Sequence, residues 1–302
     1  MARFLIGCDP EFMIVDGNGK LKSALKIFKG RKHEPEKLSD GASLADNVNF
    51  EFNTNPASSP NEFKKYIKSV LQESARSLPA RHRFVAISGA DFPKSELRDK
   101  EACEFGCEPD YNAWNDGQAN IVPEGAAERT FRSAGGHIHI GYTEDTKDIL
   151  TEFDDKLRMI RLMDATVGIV STFLDKTDGS EVRRSLYGKA GCFRPKGYGV
   201  EYRTVGNYWA ANPKTVDLIY GLVNAAVELR LKGDDIKLIE NLIPQRIIDT
   251  INSSDNNTAH TLYQEFLVPV LDKDTSATIN KLAKSLKNVG DIHNNWKLSQ
   301  EV

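Results

Sequence analysis

The sequence contains no uninterrupted apolar run of about 18 residues, the minimum for a membrane-spanning helix. Its start, Met-Ala-Arg-Phe-Leu-Ile-Gly, lacks a basic stretch followed by a long apolar segment. Neither a membrane span nor a signal peptide is expected, and no membrane partner. Cysteine is scarce: Cys8, Cys103, Cys107 and Cys192 are spread over 302 residues. That is too sparse for a disulfide framework, so free thiols in a reduced, cytoplasmic compartment are expected. Cys103 and Cys107 have no second close pair downstream, which argues against a zinc site. Net charge is small: 40 Lys and Arg against 43 Asp and Glu leave −3. Nothing in that balance pulls the chain as a whole toward nucleic acid or anionic lipid. Internal repeats and low-complexity tracts are absent, which excludes solenoids and disordered linkers.

What is present is a globular composition, 40% hydrophobic and 27% charged, and a set of short strands with unusual polar faces. The most informative is Gly135-Gly136-His137-Ile138-His139-Ile140-Gly141. Alternate side chains of a strand share a face, so His137 and His139 point one way and the two isoleucines point into a core. Paired imidazoles on one face call for a metal, an anion or an acid. The bracketing glycines permit close approach by a ligand or another backbone.

Other segments repeat this theme. Residues 3 to 15 read as a strand carrying Asp9 and Glu11 on one face, with Pro10 predicting an edge or bulged position. Asp16-Gly17-Asn18-Gly19 predicts a hairpin turn. Residues 22 to 45 are Lys-rich and irregular and read as loop or short hairpin. From Asp46 to Pro56, Val48, Phe50 and Phe52 alternate with Asn47, Asn49, Glu51 and Asn53, a half-buried strand with an oxygen-rich outer face. Residues 61 to 78 predict an amphipathic helix with a serine N-cap, and 82 to 89 another strand. Around 104 to 115, Tyr111 and Trp114 lie beside Glu108 and Asp110 in a loop that caps the core or walls a substrate.

Residues 145 to 175 predict one long helix or two broken near Gly168. Arg183, Arg184, Lys189, Arg194, Lys196 and Arg203 form a basic block with interleaved glycines, which suits phosphate recognition; Arg129 and Arg132 add charge just before the histidine strand. Glu201 and Arg203 share a strand face. A helix from Pro213 through Leu231 follows, stopped by Gly233. About 235 to 302 predicts some three short helices broken at Pro244 and Pro269, in which His260 and His293 are ordinary surface or core histidines. The fold class expected is α+β, a mostly antiparallel sheet backed by helices. A sheet-based core over 1–213 and a helical region over 214–302 would pack as one compact unit.

Collected on one face, Asp9, Glu11, Glu51, His137, His139 and Glu201 suit Mg²⁺ or Mn²⁺ shared with phosphate oxygens, and the basic residues suit the phosphates. The order of motifs also resembles the glutamine synthetase and glutamate-cysteine ligase superfamily. The fuller wording Gly-Cys-Asp-Pro-Glu-Phe, Gly-Cys-Glu-Pro-Asp-Tyr-Asn-Ala-Trp, Ala-Gly-Gly-His-Ile-His-Ile-Gly-Tyr and Tyr-Gly-Val-Glu-Tyr-Arg resembles the phage-encoded carboxylate-amine ligases, or type 2 amidoligases. The resemblance spans roughly residues 5 to 215.

It implies a curved sheet of the glutamine synthetase type and an ATP-dependent ligase that joins a small-molecule or peptide carboxylate to an amine through an acyl-phosphate. By the same resemblance, Asp9, His137 and Glu201 hold one metal ion and Glu11 with Glu51 a second. His139 approaches the nucleotide phosphates, and Arg203 neutralises the phosphoryl group in flight, which makes Glu201 and Arg203 the catalytic pair. Arg132, Arg184, Lys189 and Arg194 are candidates for the nucleotide or the substrate carboxylate by charge alone. Asp91 and Asp110 are candidates for easing amine deprotonation. Three alternatives stand beside this reading: a metal-dependent hydrolase built on the His-x-His strand, a phosphagen-type kinase, and a nucleic-acid-binding protein. The basic block argues against the first, and the net charge of −3 argues against the last.

Overall fold

The computed structural model describes residues 3–103, 110–120, 129–285 and 291–298. Its centre is an antiparallel sheet of 11 strands. Strands β1 (Phe4–Val15), β2 (Gly41–Asp46), β3 (Asn49–Thr54), β4 (Gly136–Tyr142), β5 (Cys192–Lys196) and β6 (Gly199–Tyr202) carry the chemistry. Their spatial order is β2-β3-β1-β4-β6-β5, extended at one edge by Glu36–Leu38 and at the other by Tyr111–Asn112 and Gln118–Ala119.

Antiparallel partners lie on the same side of a sheet, so the register decides which side chains meet. Asp9 stands opposite His137, His139 opposite Glu201, and Arg194 opposite Glu201. Glu11 stands opposite Glu51, and Asp46 opposite Asn49. All of these share the front face. The back face carries Ile6, Cys8, Phe12, Phe50, Phe52, Ile138, Ile140, Val200 and Tyr202, every one buried. Burying a large aliphatic side chain stabilises by roughly 1.5–3 kcal/mol. A slip of β4 by one residue would exchange both isoleucines for both imidazoles, so the apolar set fixes the register and thereby the site.

Pro10 does not sit at an edge. Strand β1 is central, and the proline falls where the ladder toward β3 is interrupted. On that side Ile6 N donates to Ala57 O at 2.9 Å and Cys8 N to Thr54 Oγ1 at 3.3 Å, and Pro10 has no N–H to offer. The register shifts by one residue between Ile6↔Ala57 and Glu11↔Glu51, the local irregularity that a proline requires in a sheet interior.

Helices cover the back face. α1 (Pro60–Ala75) starts at Ser59, whose side chain accepts from Glu62 N, and its Phe63 ring lies 6.0 Å from that of Trp209. α2 (Phe153–Met163) runs into a π-turn, Asp164–Gly168, and then into Ile169–Leu174, so the predicted break near Gly168 is a widened turn inside a continuing helix. α3 (Pro213–Lys232) is capped by Asn212 and ends on Gly233 in the left-handed region.

Two expectations are refined. Of the loop or short hairpin expected over 22–45, the hairpin is found: Glu36–Leu38 pairs antiparallel with β2, which extends it to Asp46. Beyond residue 235 the described residues form five helices: Asp235–Leu242, Pro244–Asn252, Asn256–Leu262, Lys273–Ser285 and Ile292–Trp296. Pro244 opens one of them, at a position where a missing N–H costs nothing. No helix among the described residues is long and apolar enough to cross a membrane.

Candidate functional site

The front face gathers two clusters of ligating atoms. In the first, atoms of Asp9, His139 and Glu201 all lie within 4.8 Å of one another. Asp9 Oδ1 is 3.0 Å from His139 Nε2 and 3.2 Å from His137 Nδ1. His137 Nδ1 is also 3.8 Å from Glu201 and 3.2 Å from Arg203 Nη1. One ring nitrogen cannot donate to Asp9 and accept from Arg203 together, so the tautomer of His137 selects between them. The glycines before it serve close approach. A Cβ on Gly135 would meet His137 Nε2 at 2.4 Å, and one on Gly136 would meet Gly206 O at 2.2 Å.

Cations surround this cluster. Glu201 is 1% exposed and accepts from Arg203 Nη1, with Lys196 Nζ at 2.7 Å and Arg194 Nη1 at 3.6 Å. Arg203 Nε reaches Asp110 Oδ1 at 2.7 Å. Burial and the Asp9 charge push the Glu201 carboxyl up, but Arg203, His137 and His139 outweigh them and bring it down to about 2. Burial likewise opposes ionisation of Asp9, and His139 and His137 still hold it well below the usual carboxylate range. His139 is raised: burial disfavours its charge, and the Asp9 carboxylate more than compensates.

The second cluster is Glu11, Asp46 and Glu51. Its one hydrogen-bond donor among the described side chains is Asn49 Nδ2, 3.0 Å from Glu11 Oε2. Burial, followed by the charges of Asp9, Asp46 and Glu11, drives Glu51 well above the ordinary glutamate value, and Glu11 is raised mainly by burial. Three carboxyl groups that suppress one another's ionisation are an incomplete arrangement unless a cation is supplied. All-oxygen donors suit a hard divalent ion, and the mixed set of Asp9, His139 and Glu201 suits a borderline one. Among the described residues the buried Asp9 Oδ1 and His139 Nε2 make no hydrogen bond of good geometry, as suits atoms that ligate a cation.

Beside His139 a cavity of about 360 Å³ opens between the ends of β1, β3 and β4, walled by Leu5, Gly7, Pro56, Tyr142 and Tyr198. The Tyr198 hydroxyl hydrogen-bonds His139 Nδ1.

The front face thus brings together Asp9, Glu11, Glu51, His137, His139, Arg194, Glu201 and Arg203. It does not bring in four of the residues nominated by charge. Arg184 turns to the helical side, where it donates to Ser254 Oγ at 2.7 Å and lies 3.5 Å from Asp175. Arg132 donates to Ala102 O, Phe131 O and Asn47 Oδ1, bracing the turn after β2. Lys189 is exposed, and its carbonyl accepts from Thr204 Oγ1. Arg183 donates to the carbonyls of Thr204 and Arg203. A guanidinium satisfies backbone carbonyls as readily as phosphates, and sequence position alone does not say which.

Sequence reasoning misses Asp46, because it places the residue at the start of the 46–56 strand and does not see that a strand ends there and turns back. Its signal is the turn: Asn47, with φ 55°, is a residue that tolerates the left-handed region, and a tight turn there puts Asp46 opposite Asn49. Asp110 is held by Arg203, whereas Asp91 is exposed and accepts from Thr130 Oγ1. His260 packs against Phe173, and His293 Nε2 accepts from Phe84 N. Cys8 and Cys192 are free and buried; Cys107, Glu108 and the Cys103 side chain lie outside the described residues.

Comparison with known proteins agrees with the motif reading. The family described as phage phiEco32-like COOH.NH2 ligase-type 2 matches residues 122–242, less than half of the chain but including β4, β5 and β6. No curated protein matches. A bifunctional glutathione synthetase from Pasteurella multocida is similar over 94% of this chain, at 12% identity and a TM-score of 0.46; the chain spans about half of its length, 52%. A glutamate–cysteine ligase from Francisella tularensis, solved in complex with AMP, is similar over 98% of this chain and 83% of its own, at 10% identity and a TM-score of 0.53. At that identity the second likeness is one of fold: a large antiparallel sheet backed by helices.

Proposed function

We propose that the chain is an ATP-dependent carboxylate–amine ligase that forms an amide bond through an acyl-phosphate. The observation that carries this reading is the front face of the sheet, where two ligand clusters stand next to three cations; His139, Glu201 and those cations fall within the segment that matches a carboxylate–amine ligase family. Glu11, Asp46 and Glu51 would hold one divalent ion, Mg²⁺ or Mn²⁺. Asp9, His139 and Glu201, with His137 behind them, would hold another. Bound there, the ions offset the charge of nucleotide phosphates and polarise the transferring group.

The remaining roles belong to the chain itself. Arg203 is fixed between Glu201 and Asp110, so its charge is held in place without reorganisation, the condition under which a fixed charge acts on a phosphoryl group. Arg194 and Lys196 extend that cationic side. The cavity beside His139 is of a size to seat a nucleoside, with Tyr142 and Tyr198 as aromatic walls. Tyr198, bonded to His139 Nδ1, would hold that ring in place for contact with nucleotide phosphates.

A thermal-shift assay with ATP and Mg²⁺, followed by a coupled ADP-release screen across amino acids, polyamines and peptides, tests the proposal. Stabilisation by the nucleotide, and ADP release only when both an amine and a carboxylate are supplied, are expected. Turnover of an amide or ester without nucleotide would overturn the reading in favour of a hydrolase.

A further inference from the structure

One buried acid takes no part in the cleft and lies directly behind it. Asp164 is fully buried in the π-turn Asp164–Gly168, a widened turn of the kind that recurs near functional sites. Its Oδ1 accepts from Tyr202 Oη at 2.7 Å and, at 3.2 Å, shares the Thr204 hydroxyl proton with the Lys189 carbonyl. Its Oδ2 accepts from Trp114 Nε1 at 2.7 Å and Gly191 N at 2.5 Å. Each donor adjoins a front-face group. Tyr202 stands between Glu201 and Arg203, and alternation sends it backward while they point forward. Thr204 follows Arg203. Gly191 immediately precedes β5, which carries Arg194 and Lys196, and Trp114 shares the short segment of Asp110.

Other features agree with a fixed hub. A Cβ on Gly168 would meet Tyr202 Oη at 2.8 Å and Asp164 Oδ1 at 3.3 Å, so glycine keeps the helix against the tyrosine. Burial raises the Asp164 carboxyl to about 6 even with four donors pulling it down. A group this costly to bury is retained where its hydrogen bonds are all made.

We propose that Asp164 is a positioning residue: one carboxylate behind the sheet ties together the three segments that present Arg203, Arg194 and Asp110 to the cleft, and so sets their spacing. The inference rests on the proposed function only in taking that face as the reacting one. Asn can replace Asp here if its Oδ1 receives Trp114 and Gly191 and its Nδ2 donates to the Tyr202 and Thr204 hydroxyls, which can rotate to accept. Ala cannot.

The test compares Asp164→Ala, Asp164→Asn and Tyr202→Phe well below their unfolding temperatures. Asp164→Ala is expected to lower kcat about 10- to 100-fold, since sub-ångström to ångström displacement of reacting groups costs this much. Asp164→Asn should keep the parent kcat, because the geometry is what matters. A folded Asp164→Ala with unchanged kcat, or an Asp164→Asn as impaired as Asp164→Ala, overturns the proposal. Should Asp164→Ala fail to fold, Tyr202→Phe removes one link and keeps the ring. A kcat reduced by about three-fold is then expected, and an unchanged one overturns the idea.

A second readout needs no turnover. The Nε–H resonances of Arg203 and Arg194 should shift in Asp164→Ala, or to a lesser degree in Tyr202→Phe, and return in Asp164→Asn. Resonances unmoved in the folded truncations overturn the positioning role whether or not the chain proves to be a ligase. Absence of ligase turnover in the parent protein bears only on the proposed function.

Discussion

The two clusters on the front face are built from the same strands and differ in how their charge is balanced. Around Asp9, His139 and Glu201 the chain supplies its own counter-charge, with Arg203, Lys196 and Arg194 arranged on Glu201. Around Glu11, Asp46 and Glu51 the described side chains supply one hydrogen-bond donor, the Asn49 amide, and the charges of Arg203 and His137 are outweighed there. Ionisation is therefore favoured in one and suppressed in the other, a few ångströms apart on one sheet. Burial is common to both, so neighbouring charges decide the outcome. The first cluster is thus held ionised by the chain's own cations, whereas the second, in the proposed reading, depends on a divalent ion for its counter-charge.

The contrast is broken most directly at its cationic end. Arg203→Gln should lower kcat in the ADP-release assay by about 10²–10³-fold, the scale seen when one charge-stabilising donor is removed, with an unchanged far-UV circular dichroism spectrum. Near-parent turnover would sink the role assigned to Arg203.

Glu51→Gln addresses the other cluster. It should abolish most of the stabilisation by divalent ions, about 2.7 kcal/mol at an ion concentration a hundred-fold above Kd. It should also raise the melting temperature of the ion-free protein, because it removes one of three mutually repelling acids. A variant that keeps the full Mn²⁺ or Mg²⁺ shift in calorimetry would remove the second ion site.

The pH dependence should have opposite signs in the two places. Glu51 and Glu11 are raised in the fold, so the native state holds more protons than the unfolded chain. Their contribution to ion-free stability is present at low pH and is lost as pH rises above the ordinary glutamate value of 4.5. Glu201 is lowered, so its contribution is present above 4.5 and lost as pH falls toward about 2. The melting-temperature gain from Mn²⁺ should therefore grow between about pH 5 and 8, as the carboxyl groups and His139 release protons on ligation. A gain that is flat across this range would contradict the coupling.

The smallest effects are expected from residues that sequence alone nominated. Lys189→Ala should leave kcat and the ion response within about two-fold, as for an exposed substitution away from a site. Arg184→Ala should lower the melting temperature and leave the activity of the folded fraction alone, because it strands the buried Asp175 carboxylate rather than any cleft group. A selective loss of ATP affinity in either would return that residue to the nucleotide site.

These outcomes follow the line between what was readable and what was not. His137, His139, Asp9, Glu11, Glu51 and Glu201 were legible because a two-residue period assigns every side chain to a face, and the intervening isoleucines and phenylalanines fix that face against the core. The antiparallel sheet and α3, with its Asn212 cap and Gly233 stop, were legible for the same local reasons. Asp46 was hidden in a short strand of small residues, whose strand character comes from its neighbours rather than its own composition. Arg132, Arg183 and Arg184 were misplaced because a buried arginine and a phosphate-binding one look alike until the carbonyls around them are known. The π-turn at Asp164 has no sequence signature that separates it from ordinary helix.

Asp9 and Glu11 belong to different clusters and flank the proline at which the central strand loses its ladder. Two such residues are one pleat repeat apart, about 7 Å along the strand. The strand thus acts as a ruler, and the interval between these two carboxylates, one in each proposed ion site, is a property of covalent geometry rather than of loops that breathe. Lengthening or shortening the chain by one residue within 9–11 would rotate one carboxylate to the back of the sheet, so this interval can be kept or lost but not tuned.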